Sequence, residues 1–231
     1  MKQILLLIIL VQTQLVFSQN LFTYNTLTNN LKYNRSDLFE LKELTESNVN
    51  WNFRLWSNDY VLDVKEINNQ LEGTVYMIAR ELNNEINPNT CFIQIVQLDS
   101  NITIQLKFLI SKFNNKNIPT QDSISNWHIG FDGSAYGIEF IQNGNYIHKT
   151  YWQPSSFPQI KEAVVVNDFV VAIENQFNFN QLDSTFYSKI PFHSFTINGF
   201  SLITKPYSKK EAKLYKRAVR KKRRFRKYFF G

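Results

Sequence analysis

Three carboxylates, Asp132, Glu139 and Glu174, are the residues best placed for acid–base chemistry, because glycoside hydrolysis and related reactions need two carboxyl groups held at a set separation. Of the three, Asp132 has a simpler role as the first residue of an Asp-Gly turn. Glu139 is flanked by Ile138, Phe140 and Ile141, which puts a carboxylate on a sheet face. The histidines His128, His148 and His193 show no metal-ligand spacing, with no His-Glu-x-x-His and no paired cysteines, so ordinary sheet or surface positions are expected and no metal. A Gly-x-Ser-x-Gly nucleophile elbow and a phosphate loop are both absent, and no cofactor is expected. The one cysteine, Cys91, precedes the apolar run Phe92-Ile93-Gln94-Ile95-Val96, whose surroundings would keep a thiol protonated and inert.

Binding is the other chemistry these side chains permit. Trp51, Trp56, Trp127 and Trp152, with Tyr60, Tyr136, Tyr146 and Tyr151, would line a sugar- or peptide-binding face if they surfaced together; as sheet filling they need no ligand. The strongest interaction signal is the C-terminus. Residues 205–231 contain thirteen Lys or Arg against one acid, Glu211, whereas residues 19–204 carry a net charge of −6. Lys209, Lys210, Lys213, Lys216, Arg217, Arg220, Lys221, Lys222, Arg223, Arg224, Arg226 and Lys227 lie among good helix formers. A partial apolar stripe runs with them at Ala212, Tyr215, Ala218, Val219, Phe225 and Phe229. A basic amphipathic helix of this kind suits an anionic membrane or another envelope polyanion, and nucleic acid less well if the chain is exported. The plain alternative is a solvated tail, or one that docks on the acidic body.

The elements that must position these residues follow from hydrophobic period and turn chemistry. A short helix is expected from Ser36 through Leu44. Strands are expected at 51–56, 60–64 and 71–79, with turns at Ser57-Asn58-Asp59 and Asn68-Asn69. Residues 91–98 read as a strand, and Leu106, Leu109, Ile110 and Phe113 as one face of a helix ending near Phe113. Asn114 to Asn126 is a hydrophilic linker. Asp132-Gly133 and Asn143-Gly144 each fall between strand-like runs and predict a second meander. Gln159 to Phe177 reads as a buried helix and 193–204 as a final strand. The expected class is α+β: two antiparallel meanders packed with two or three helices, plus a basic helical tail. The stretches 51–113 and 127–204 hint at similar halves, and one sheet or two remains open.

Length and composition bound the rest. The chain has 231 residues, 43% hydrophobic and 15% aromatic, enough for a sizeable core and far from a disordered composition. A single cysteine excludes a disulfide-stapled scaffold. At the N-terminus, Met1-Lys2, the apolar run Ile4 to Leu10 and Val16-Phe17-Ser18 form a signal-peptide pattern over 1–18, too short and too soon interrupted to span a bilayer. A mature chain starting at Gln19, periplasmic or secreted, is the expectation.

The run Asp132-Gly133-x-x-Tyr136-x-Ile138-Glu139, with Asn145-Tyr146, Tyr151-Trp152 and Pro154, resembles a pattern of uncharacterised secreted proteins of Bacteroidota over about residues 51 to 180. That resemblance implies export and no assigned activity. The leading expectation is therefore an exported non-catalytic binding or envelope protein whose tail meets an anionic surface. Its rivals are a secreted hydrolase using Glu139 with a second carboxylate, and a nucleic-acid binder acting through the tail.

Overall fold

A computed structural model of the chain describes residues 17–23, 39–46, 49–82, 90–130, 133–197, 201–207, 209–210, 212–217 and 220. Turn chemistry sets the pairing. Asn68-Asn69 and Asn143-Gly144 take positive φ (50°, 62°, 49° and 77°), the backbone a two-residue primed turn needs. Around them run β1 (Phe17–Thr23), β2 (Trp51–Trp56), β3 (Tyr60–Ile67), β4 (Gln70–Glu81), β5 (Thr90–Gln97), β6 (Ala135–Gln142), β7 (Asn145–Trp152), β8 (Ser194–Ile197) and β9 (Ser201–Thr204). They form one antiparallel sheet in the order β1-β5-β4-β3-β2-β6-β7, and β8 pairs with the far end of β4, beyond the start of β3, carrying β9 beside it.

The helices α1 (Ser100–Asn114), α2 (Lys161–Gln176) and α3 (Phe179–Lys189) cover one face. Asp99 caps α1, its carboxylate accepting from the Asn101 and Ile102 amides at 2.8 and 3.2 Å. That helix approaches β4 most closely at Gly73, where a Cβ would stand 2.8 Å from Thr103 Oγ1, so the strand glycine is where helix and sheet meet. Phe53, Leu55, Leu62, Val64, Val75 and Met77 meet Leu106, Ile110, Val166, Phe169, Ile173 and Phe186 in this core. The opposite face is covered too: the Phe39 ring packs on Tyr76, tilted by 34° with ring centroids 5.0 Å apart, in a cluster with Val61, Ile78, Cys91 and Ile93. Burial on both faces extends to polar side chains: all of β2 and the first five residues of β3 are buried, Asn52, Arg54 and Asp63 included.

The α+β class stands, and several finer expectations change. The two expected meanders are one sheet, because the β6–β7 hairpin adds to β2 and does not close on itself. In the second half of the chain Asn143-Gly144 makes its hairpin turn, whereas Asp132 lies outside the described residues, residues 127–130 are irregular and no strand precedes Gly133 among the described residues. There is no helix over 39–44: Phe39 and Glu40 form a turn, with φ +55° at Glu40, and a 3₁₀ turn follows at Leu44–Glu46, so that Phe39 and Leu44 both reach buried positions. Ser36 to Leu38 lie outside the described residues. The final strand is a hairpin, β8–β9. Helix α3 was not foreseen, although Phe179, Leu182 and Phe186 have helical spacing; Phe186 stacks on Phe92 at 5.6 Å. The 114–126 linker binds the β7 edge: Thr120 Oγ1 accepts from the Thr150 amide at 3.2 Å, and the Gln121 side-chain oxygen accepts from the Trp152 amide.

Strand β1 runs through the expected cleavage point. Cleavage after Ser18 would remove Phe17 and Ser18 and leave Gln19 to Thr23 paired with Gln94 to Thr90. Residues 1–16 lie outside the described residues, and among those described no helix is long and apolar enough to cross a membrane.

Candidate functional site

Glu139 belongs to a row of polar side chains that crosses six strands on the face away from the helices. Register places Gln97, Thr74, Asp63, Arg54, Glu139 and His148 side by side on β5, β4, β3, β2, β6 and β7. Arg54 is the hinge of this row. Its Nε donates to Asp63 Oδ1 at 3.1 Å, its Nη1 donates to the Lys42 carbonyl at 3.2 Å and stands 3.9 Å from Glu139 Oε2, and its guanidinium lies 5.6 Å from the Trp56 ring centre. Glu139, with no exposed surface, accepts from Trp56 Nε1 at 2.5 Å and from the Tyr146 hydroxyl at 2.6 Å. Burial, and then the bond to Glu139, push the Tyr146 pKa well up, so its hydroxyl stays a donor. Thr74 continues the row by donating to Gln97 Oε1 at 2.9 Å.

A carboxylate with both oxygens held by donors and no path to solvent serves internal pairing. The other candidates do not join it. Asp132 lies outside the described residues. Glu174 is on α2, across the sheet, where it accepts from the Tyr60 hydroxyl at 3.1 Å. Tyr60 and Glu139 point to opposite faces, so Glu139 and Glu174 do not form a pair. Arg54 and Asp63 were not singled out from sequence. Each stands three residues outside the turn closed by the Ser57 amide bond to the Tyr60 carbonyl, as opposite charges inside adjacent strands, and that symmetry was a usable signal.

Burial raises the Glu174 pKa above 4.5, against the smaller opposing effect of the Tyr60 bond. Because the folded value exceeds the unfolded one, charging Glu174 opposes folding above the raised pKa, and this penalty vanishes as pH falls through that value toward 4.5. Glu174→Gln is expected to be at least as stable as the wild type at pH 8, and the difference should shrink on acidification. Urea midpoints across a pH series check this, and a mutant that loses stability uniformly would contradict it.

The histidines are dispersed. His128 is exposed in an irregular segment, His148 is exposed on β7, and His193 precedes β8. Among the described residues no group of three or more His, Cys, Asp or Glu could hold a metal. Cys91 is buried among Ile78 and Ile93, and desolvation raises its thiol pKa. Of the two readings of the aromatics, sheet filling describes most of them: Trp51, Trp127, Tyr60 and Tyr151 are buried in the helix-side core, Trp56 is buried on the other face, and of the eight rings only Tyr146 is exposed. Strands β2 and β3, covered on both sides, have no outer face on which to display a row of rings.

The basic segment divides in two. Lys205 belongs to the body: its ammonium donates to the Tyr187 and Ile190 carbonyls at 3.0 and 2.7 Å, where α3 ends, and lies over the Tyr187 and Phe195 rings. Beyond it Tyr207 stacks on His193 with centroids 3.5 Å apart and planes 7° from parallel, and Tyr215 stacks on Tyr207 at 5.2 Å. Backbone at 209–210, 212–217 and 220 is helical, and Lys209, Lys210, Lys213, Lys216, Arg217 and Arg220 are all exposed. Lys221, Lys222, Arg223, Arg224, Arg226 and Lys227 lie outside the described residues, as do Ala218, Val219, Phe225 and Phe229 of the apolar stripe. No protein-family model, no curated protein and no solved structure matches this chain.

Proposed function

We propose that this is an exported, non-catalytic binding protein of the kind its Bacteroidota-like motif suggests, whose sheet domain presents a basic C-terminal helix to an anionic membrane or envelope polyanion. One observation carries the reading. The described tail cations are exposed on helical backbone, and none has an ion pair with the acidic body among the described residues, although residues 19–204 hold eighteen acids. A tail whose purpose was to dock on its own domain would spend those charges there. The N-terminal signal pattern supports export, and export makes a membrane or envelope polyanion a better partner than genomic DNA. The buried, fully engaged state of Glu139 supports binding over hydrolysis.

Each Lys or Arg near an anionic bilayer contributes about 1 kcal/mol. The chain lacking residues 208–231 is therefore expected to lose sedimentation with anionic liposomes altogether, while the full chain binds in a salt-sensitive way and ignores neutral liposomes. Undiminished binding by the truncated chain would refute the proposal.

A further inference from the structure

The β7 edge of the sheet is occupied along only part of its length. Asn143-Gly144, both at positive φ, make a two-residue turn flanked by the pair Gln142 and Asn145, and in such a turn the flanking residues exchange backbone hydrogen bonds. From that pair the ladder alternates. Asn145, Ile147, Lys149 and Tyr151 bond inward to β6, and the amides and carbonyls of Tyr146, His148, Thr150 and Trp152 point out of the sheet. The outward groups of the last two are taken: the Thr120 hydroxyl accepts from the Thr150 amide and donates to its carbonyl, the Trp152 amide donates to the Gln121 side chain, and the Trp152 carbonyl accepts from Trp127 Nε1 at 2.8 Å. Those of Tyr146 and His148 meet no partner among the described residues. Asn145 to His148 are exposed, Ile147 by 41%. An open strand edge of this kind is a template for another strand.

The strand that fits it best is its own copy. The open stretch, 145–149, is centred on Ile147, and an antiparallel second β7 with the two-fold axis through Ile147 sets Tyr146 opposite the partner's His148 and His148 opposite the partner's Tyr146. Every open outward group then finds a partner, whereas a shift of two residues either way loses one of the hydrogen-bonded pairs to the turn or to the occupied Thr150. The side chains agree with the backbone. Ile147, which pairs with Phe140 of the helix-side core, meets the partner's Ile147 on that face, while Tyr146 lies beside the partner's His148 on the face of Glu139. Lys149 falls opposite the partner's Asn145, so no like charges meet. The partner's turn at Asn143-Gly144 leaves the edge where Thr120 and Gln121 begin to cover it, so the added strand matches the free length. We infer that this edge is a self-association surface, through which two copies pair β7 with β7 across Ile147 and join their sheets into one. A few backbone hydrogen bonds and one apolar pair make a small interface, so the pairing is reversible and concentration-dependent.

Sedimentation velocity of the full chain over a wide concentration range should show a mass rising from 27.3 kDa toward twice that value. Ile147→Lys sets like charges against each other on the axis and should weaken association about tenfold or more. His148→Pro removes an outward amide while leaving the bonds to β6, and should weaken it at least as much. Ile147→Cys reads the register, because on the axis the two thiols would face each other across a non-hydrogen-bonded pair with Cα atoms about 4.5 Å apart, within disulfide reach. Mild oxidation should cross-link it into a dimer, whereas Asn145→Cys, about 14 Å from its counterpart, should stay uncross-linked. Cys91, 2% exposed, does not compete. A chain that is monomeric at every concentration would overturn the inference and leave the edge to an extended segment of another protein. Association unchanged in Ile147→Lys and His148→Pro, or equal cross-linking of the two cysteine variants, would place the contact on a different surface and overturn it too. Asn145 and Ile147 are exposed, so variants there should keep the wild-type far-UV circular dichroism, and they decide the matter alone if His148→Pro unfolds.

Discussion

Arg54→Ala should destabilise the fold by about 3–5 kcal/mol, because it strips the cation from a buried row and leaves Asp63 and Glu139 charged with no water to solvate them. Arg54 is only 4% exposed and Asp63 2%. Asp63 would lose the bond from Arg54 Nε, and Glu139 would lose the guanidinium while keeping its bonds from Trp56 and Tyr146. The measurement is urea unfolding at neutral pH, read as a shift in midpoint at constant slope. The origin of the cost can be isolated with Arg54→Met/Asp63→Asn/Glu139→Gln, which removes all three charges, keeps the amide oxygen as an acceptor for Trp56, and lets the Tyr146 hydroxyl accept from the amide NH2. That triple variant should regain much of the lost stability, since a buried charge group replaced as a whole is often near neutral. A single-mutant loss under about 1 kcal/mol would mean that water reaches the row and that its charges are screened.

Phe169→Ala should cost a similar amount, about 3–5 kcal/mol, by opening a cavity where helices and sheet converge. Phe169 stacks on Phe113 of α1 with centroids 4.0 Å apart and meets Phe53 of β2 edge-on at 6.0 Å, so a single ring joins α1, α2 and the sheet. It also lines a shallow groove of about 160 Å³ between α1 and α2, with Leu109, Phe113 and Val165. That groove offers little material to collapse into the space left by the ring, which places the expected loss toward the upper end. Phe108→Ala is the matched control: the same truncation on α1 at a ring 69% exposed should change stability by no more than about 0.5 kcal/mol. Equal losses from the two would show that the packing around Phe169 is not as described.

The local elements were largely readable. Asn68-Asn69 and Asn143-Gly144 announce their hairpins because few residues other than Asn and Gly accept positive φ, and α1 and α2 show one-sided apolar spacing over 15 and 16 residues. Helix α3 was harder, having 11 residues and only Leu182 and Phe186 fully buried. The 39–46 segment misled for the opposite reason. Its Leu and Glu content favours a helix, yet burying Phe39 against Tyr76 and Leu44 beneath the surface outweighs a propensity worth tenths of a kcal/mol per residue.

What the sequence determined by itself is therefore what depends on near neighbours: the α+β class, most helices and hairpins, and the division of charge between an acidic body and a basic tail. What only the tertiary structure decided depends on residues far apart in the chain. It joined β6 to β2 to make one sheet, aligned Asp63, Arg54 and Glu139 from three strands, and set Glu174 on the other face. It also stacked Tyr207 on His193 and Tyr215 on Tyr207, 14 and 8 residues apart in the chain. A carboxylate at position 139 reads the same in sequence whether it faces solvent or Arg54, because its partner stands 85 residues earlier and only strand register brings the two together.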